Sequence, residues 1–285
     1  MKILVSFRGI PQSPGWSTGD MVVRAFQEMG HDVTPYGNYY QTPHRLEKDK
    51  SCLREDYDLF LFMECGDGDP VYTELVGVRA RKRASWFFDA ALYPHNWVRL
   101  LQDFDFDVNF IANSTMLYDN FKTEYLPYAA DPILHYRPHS HHKYRMFGLI
   151  GSDRPERRAL AKHLSLDLMS GIFREEYINY LAGSYYVIND VAGGGAGMIP
   201  MRPFEALMAG AALITPKYDG VMAVGLPCIE YGSLEELTSI CNNIRDNNIL
   251  PDNTGQNEVL RYHTYKHRCA MILEKMFPHE RNRYN

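Results

Sequence analysis

The residues best placed to do chemistry together lie in YVINDVAGGGAGMIPMRPFEALMAGAALIT, residues 186–215. An apolar, β-prone run ends at Asn189, a loop with Gly193, Gly194, Gly195 and Gly197 follows, and a helical pattern begins near Arg202. Glycines let backbone N–H groups approach an anion, and a helix start adds partial positive charge. Arg202 would add a fixed cation able to make paired hydrogen bonds to phosphate. Glu205, one turn on, can accept both hydroxyls of a ribose whose diphosphate sits at the helix start. Loop, cation and carboxylate together suit a nucleoside diphosphate. The spacing alone also allows a plainer reading, in which Glu205 complements the helix dipole and the glycine run is a flexible lid.

Such a loop needs a strand before it and a helix after it, and the chain supplies that alternation almost throughout. Residues 2–7, 32–35, 57–63, 84–88, 108–112 and 124–127 read as strands, with an amphipathic helix over 20–30 closed by glycine. DPILHYRPHSHHK, residues 131–143, breaks the pattern with two prolines and marks the domain junction. Beyond it come strands at 144–150, 184–189, 212–215 and 227–231, and helices at 155–164, 202–209, 233–245 and 262–276. The expected fold is α/β: two Rossmann-like domains with parallel sheets facing a central cleft. Residues 1–138 would form the first domain and 139–265 the second, with 266–285 as a helix returning to the first.

Composition narrows the classes. A chain of 285 residues with 45% hydrophobic and 23% charged residues is globular and long enough for two cores. No run approaches the length needed to span a bilayer, and MKILVSF lacks a signal-like sequel, so a cytoplasmic location is expected. The five cysteines form no CxxC pair, which argues against a disulfide framework or a zinc site. A net charge of −5 offers no global attraction to nucleic acid.

The run RPFEALMAGAALIT, with YVIN before it and EYGSLEEL and YHTYKHR after it, resembles the carboxyl-terminal domain of CgeB-like glycosyltransferases. These belong to the GT-B group that includes the family 4 enzymes. The matching positions are Asn189, Arg202, Glu205, Gly210, His263, Thr264, Tyr265 and Arg268, and YLPYAADPILHYRP and FGLIGSDRPERRAL extend the likeness over residues 124–276. The resemblance implies GT-B architecture and sugar transfer from a nucleotide-diphosphate sugar, UDP-sugar favoured, as co-substrate, with no tightly bound cofactor and no metal. Glu205 would take the ribose and Arg202 the diphosphate, with Gly151, Ser152, Asn189, Gly194, Gly195 and Gly197 completing the donor site. Many retaining relatives carry a second glutamate eight positions before the first; here that position is Gly197.

The first half carries the acceptor candidates. Gly15, Trp16 and Asp20 follow the first strand; Trp16 would stack on an acceptor, and Asp20 either joins it or caps the next helix. Asp89 and Glu64, at two strand ends, are the catalytic candidates, Asp89 first as general base. The acceptor could be a glycan, a protein, a small molecule or a hydroxymethylated phage DNA base. The DFDFD run, residues 103–107, reads as a solvated turn; His139, His141 and His142 read as a polar linker; Arg79, Arg81, Lys82 and Arg83 read as a solvated helix end or a contact for a polyanionic acceptor. A nicotinamide dehydrogenase is disfavoured because glycines at 9, 15 and 19 do not make the GxGxxG turn. A catalytically inactive nucleotide-sugar-binding module remains the alternative.

Overall fold

The computed structural model describes residues 1–9, 15–37, 50–63, 74–88, 104–116, 121–138, 141–190, 197–252 and 254–283. The chain forms two units: Met1–Pro127 with Tyr265–Asn285, and Tyr128–Thr264.

In the first unit, β1 (Lys2–Ser6), β2 (Asp32–Tyr36), β3 (Asp56–Met63), β4 (Arg79–Phe87), β5 (Val108–Ile111) and β6 (Thr123–Tyr125) form a parallel sheet in the order β2-β1-β3-β4-β5-β6. Near-continuous apolar runs such as YDLFLFM suit strands covered on both faces. The helix α1 (Thr18–Glu28) starts at Ser17, whose hydroxyl accepts the Asp20 N–H at 3.2 Å, while the Asp20 carboxylate accepts the Ser17 N–H at 3.0 Å and its hydroxyl at 2.6 Å. Asp20 is therefore the third residue of a capping box, with Ser17 as the cap itself.

The basic run 79–83 lies in β4, a correction to its reading as a helix end. Arg79 pairs with Asp56 at 2.8 Å, Arg81 with Glu280 at 2.9 Å and Lys82 with Asp107 at 2.8 Å, and Arg83 lies over the Phe60 and Phe104 rings. The DFDFD segment is likewise more than a solvated turn. Phe104 and Phe106 are buried and stacked at 5.2 Å, and Asp107 also accepts the Arg83 N–H at 2.9 Å. Alternation of acid and aromatic puts the Phe104 and Phe106 rings inward and the Asp105 and Asp107 carboxylates toward the β4 cations.

The second unit contains α2 (Pro132–His135), β7 (Arg145–Ile150), α3 (Pro155–Leu164), β8 (Leu168–Met169), α4 (Arg174–Ala182), β9 (Ser184–Ile188), α5 (Met201–Met208), β10 (Ala212–Pro216), α6 (Asp219–Val224), β11 (Ile229–Tyr231), α7 (Leu234–Asp246) and α8 (Thr254–Tyr262). Its parallel sheet runs β11-β10-β9-β7-β8. The chain leaves β7 on one side for β8 and returns on the other as β9, so the order reverses between β7 and β9. The crevice beyond the carboxyl ends of those two strands is where open α/β sheets take ligands.

The helix expected over 262–276 is α9 (Tyr265–Met276), and α8 (Thr254–Tyr262), which the sequence reading lacked, ends just before it. Between them Thr264 pairs with Ala130, and the Ala130 N–H bonds to the His263 carbonyl at 3.0 Å, which ends α8 by giving the backbone another partner. Helix α9 then joins the first unit, burying Tyr265, Cys269 and Ile272, with the buried Arg268 Nε donating to the Pro127 carbonyl at 3.0 Å. Burial pushes the Arg268 pKa down to about 10.

Lys143 locks the entry to the second sheet. Its Nζ donates to the carbonyls of Ala182, Ser184 and Gly210 at 3.2, 3.0 and 2.7 Å. Replacing it with methionine keeps the stem but leaves three carbonyls without their donor. The expected loss is about 1.5–3 kcal/mol, measurable by urea unfolding, and an unchanged midpoint would show those bonds to be dispensable.

Candidate functional site

At the carboxyl end of β7, the Gly151 N–H is held by the Met169 carbonyl at 3.0 Å. Two guanidinium groups converge on its other side: a Cβ there would lie 2.7 Å from Arg157 Cζ and 2.8 Å from Arg202 Nη2. Only glycine leaves both cations this close to the strand end. Arg157, in the first turn of α3, is buried; its Nη1 donates to the Ser152 carbonyl and hydroxyl at 2.7 and 3.0 Å, and its Nε to Asp190 Oδ2 at 2.7 Å. Arg202, in the first turn of α5, donates through Nη1 to Asn189 Oδ1 at 3.2 Å and lies 3.5 Å from Asp190 Oδ1.

Asn189 is fixed in turn. It is fully buried just past β9, its Nδ2 donates to Thr215 Oγ1 at 3.0 Å, and its carbonyl accepts the Tyr231 hydroxyl at 3.4 Å. Two guanidiniums thus share one carboxylate at the switch point, and the buried Arg202 Nε has no hydrogen-bond partner. Two guanidinium groups and two helix starts meet at a strand end, the setting that favours a phosphate.

Glu205 lies one turn deeper in α5 and is only 5% exposed. Both of its oxygens have partners: the Tyr177 hydroxyl donates to Oε2 at 2.6 Å, and His135 Nε2 stands 3.5 Å from Oε1. His135 Nδ1 accepts the Asp131 N–H at 3.0 Å, so the proton of the neutral ring belongs on Nε2, facing Glu205. Burial raises the Glu205 pKa above the usual carboxylate range, with the Tyr177 hydroxyl and the Arg202 charge acting against it.

A carboxyl raised in the folded state binds more protons there than in the unfolded chain, so its contribution favours folding at low pH and fades as pH rises through the folded value. Against Glu205→Gln, which does not titrate, the parent is expected to lose relative stability as pH climbs from about 4.5. Paired melting curves at pH 4.5 and 7.5 check this; a constant difference would mean that Glu205 ionises normally.

The structure brings together Gly151, Ser152, Asn189, Arg202 and Glu205 from the expected donor set, all in the second unit. Gly197 is buried just before α5, and Gly194 and Gly195 lie outside the described residues. In the first unit, Gly15 has φ +82°, Trp16 is half-buried, and Asp20 is buried with Oδ1 unpartnered and its pKa raised by that burial. Asp89 and Glu64 lie outside the described residues.

Sequence reading missed Arg157, Asp190, Tyr177 and His135. Asp190 carried a signal, being the residue after Asn189 at a strand end, and Arg157 sits in the helix after the GSD turn. Tyr177 carried none, because α4 has little amphipathic pattern to announce it. Size does not mark this site either: a cavity of about 330 Å³ lies at the other ends of β10 and β11, lined by Tyr186, Leu207, Ala212, Ile229 and Gln256 among others, with no Lys or Arg in its wall.

The two parallel-sheet α/β units are the GT-B glycosyltransferase fold. AviGT4, a glycosyltransferase involved in avilamycin A biosynthesis, matches with a TM-score of 0.60 over 96% of this chain and 96% of its own, at 12% identity. Anabaena HepE in complex with UDP-glucose matches with a TM-score of 0.57 over 97% and 95%, at 13% identity. Sucrose-phosphate synthase from Thermosynechococcus elongatus matches at 0.58 over 96% and 98%, at 10% identity. At such identities the likeness is one of fold. In sequence, residues 137–274 match the family model described as glycosyl transferase-like. No curated protein matches the chain in sequence.

Proposed function

We propose that this protein is a glycosyltransferase of the CgeB-like, family-4-like kind, acting in the cytoplasm on a nucleotide-diphosphate sugar. The observation that carries the reading is the convergence of Arg157 and Arg202 on Gly151 at the β7/β9 switch point, inside the segment matched by the glycosyl transferase-like model. UDP is the favoured nucleotide, in keeping with HepE, whose complexes hold UDP, UDP and glucose, or UDP-glucose. Among the described residues no helix is long and apolar enough to cross a membrane.

In this reading the second unit takes the donor. Arg157 and Arg202 face the diphosphate, Ser152 and the 193–197 loop complete its cradle, and Glu205 serves the ribose. Transfer breaks the bond between the sugar's anomeric carbon and the phosphate oxygen while an acceptor hydroxyl bonds to that carbon. Fixed guanidiniums stabilise the departing diphosphate electrostatically without a metal ion. The acceptor would meet Gly15, Trp16 and Asp20 in the first unit. An inverting enzyme would use Asp89, or failing that Glu64, to take the acceptor's proton.

Among acceptors, the β4 cations lend no support to a polyanion such as modified DNA, because Arg79, Arg81 and Lys82 already have carboxylate partners. Gly197, standing where many retaining relatives have a glutamate, is what keeps a second reading, an inactive nucleotide-sugar-binding module, beside altered chemistry without that carboxylate. Thermal unfolding with a panel of nucleoside diphosphates and nucleotide sugars tests the donor site. A ligand at one hundred times its Kd should add about 2.7 kcal/mol and raise the midpoint. A well-folded parent that no nucleotide stabilises would remove the reading. Release of free sugar from the stabilising donor would then separate an enzyme from a binding module.

A further inference from the structure

We propose that Tyr177 closes the ribose subsite in the nucleotide-free protein, its hydroxyl occupying the carboxylate oxygen of Glu205 that a ribose hydroxyl must take. The inference rests on the donor-site reading above and says how that site is regulated. Its first support is geometric. Glu205 is buried with one donor on each oxygen, the Tyr177 O–H on Oε2 and His135 Nε2 facing Oε1, the pattern that a vicinal diol would present. Of the two donors, His135 is 1% exposed and anchored through Nδ1 to the Asp131 N–H, so it stays. Tyr177 is partly exposed as a residue although its hydroxyl is buried against Glu205 and Arg202, so of the two donors it is the one with a way out to solvent.

The second support is the segment that carries it. Helix α4 begins at Arg174, a non-glycine residue with φ +56°, and its cap residue Phe173 is half exposed and makes no side-chain cap bond. A start with left-handed backbone and no cap is a local strain, and Gly171 just before it also has positive φ, at +72°. The start of the helix therefore rests on weak local supports, an exposed Arg137–Glu175 pair and a long Arg137 Nε bond to Asn179 Oδ1 at 3.4 Å, while the buried Ile178 anchors its following residues. Low local stability is the property of segments that open for ligands.

A donor entering the site would exchange one hydrogen bond on Glu205 for another while displacing the ring, so the closure acts as a tax on affinity. Removing the hydroxyl lifts the tax. Calorimetric titration of UDP, GDP, ADP and the 2′-deoxy form of the best binder, against the whole parent chain and Tyr177→Phe, tests the proposal. Tyr177→Phe should bind the ribonucleotide about three- to tenfold tighter, gain less with the 2′-deoxy form, and melt at lower temperature without ligand. Tighter binding joined to lower stability is a pairing that a merely structural tyrosine would not give. If the parent binds a nucleotide and Tyr177→Phe binds it equally or more weakly, the closure is wrong and the donor site stands. If neither protein binds any nucleotide, the donor-site reading fails and takes the closure with it.

Discussion

Replacing Arg157 with alanine is expected to weaken nucleoside diphosphate binding by about 100- to 1,000-fold, the largest functional loss from one side chain in this protein. Two effects combine. A charge-assisted bond to phosphate accounts for about 1.5–3 kcal/mol. The second is the state of Asp190, whose side chain is 13% exposed and whose closer partner is Arg157 Nε at 2.7 Å. Without Arg157 that carboxylate faces the incoming anion, and it draws on Arg202, now 3.5 Å away, which should serve the ligand.

The cycle that isolates the second effect adds Asp190→Asn to Arg157→Ala. Removing the stranded charge should recover about tenfold of the lost affinity, whereas Asp190→Asn alone should not improve on the parent to that degree. Additive effects would show that Asp190 orients nothing and that the two arginines act separately. On the proposed donor reading, the Asp190 carboxylate would hold both guanidiniums at the β7/β9 crevice before a ligand arrives, so that little reorganisation accompanies binding.

Glu205→Ala is expected to have the largest effect on stability among the site residues, about 2–4 kcal/mol by denaturant unfolding. The substitution opens a cavity beneath α5 and leaves the Tyr177 hydroxyl and His135 Nε2 without their acceptor. Glu205→Gln keeps the volume and one acceptor oxygen, so it should cost far less. Ligand binding should respond differently: both variants lose the anionic acceptor for a ribose diol, so both should lose discrimination between ribo- and 2′-deoxynucleotides. If Glu205→Gln keeps full discrimination, the carboxylate is a buried structural group and the ribose is read elsewhere. The structure bears on this choice directly, since the carboxylate is not held open to solvent but covered by Tyr177.

Asp20 shows how one residue can satisfy a local rule and keep something in reserve. Its Oδ2 serves the capping box at the start of α1, while Oδ1 is buried without a hydrogen-bond partner. The sequence reading offered Asp20 as the helix cap; the structure gives that place to Ser17 and makes Asp20 its partner three residues on. The sequence could not announce the free oxygen, which follows from the burial of that turn.

Much of this architecture was legible before any coordinates. Apolar runs alternating with amphipathic stretches are local properties, and they place β1, β3, β7, β9, β10, α3 and α5 within a residue or so of where they stand. Asn189, Arg202 and Glu205 were legible for the same reason: strand end, loop and helix start follow one another in the chain, so their spacing encodes their neighbourhood. Short or weakly patterned elements, β8, α2, α4 and α6, escaped because two to nine residues with little periodicity resemble a loop. The basic run in β4 misled because charge density reads as solvent exposure, while its carboxylate partners arrive from Asp56, Asp107 and Glu280, distant in sequence.

What the sequence by itself determined, then, is the class of elements and the residues at their ends. The tertiary structure alone decided the strand order, and with it the reversal between β7 and β9 that sets Arg157 against Asp190 and Arg202. It alone decided that Glu205 has Tyr177 above one oxygen and His135 beside the other. The reason is physical: hydrophobic period and capping are written within a few residues of chain, whereas the partners of a buried charge are chosen by which helices the sheet order brings together.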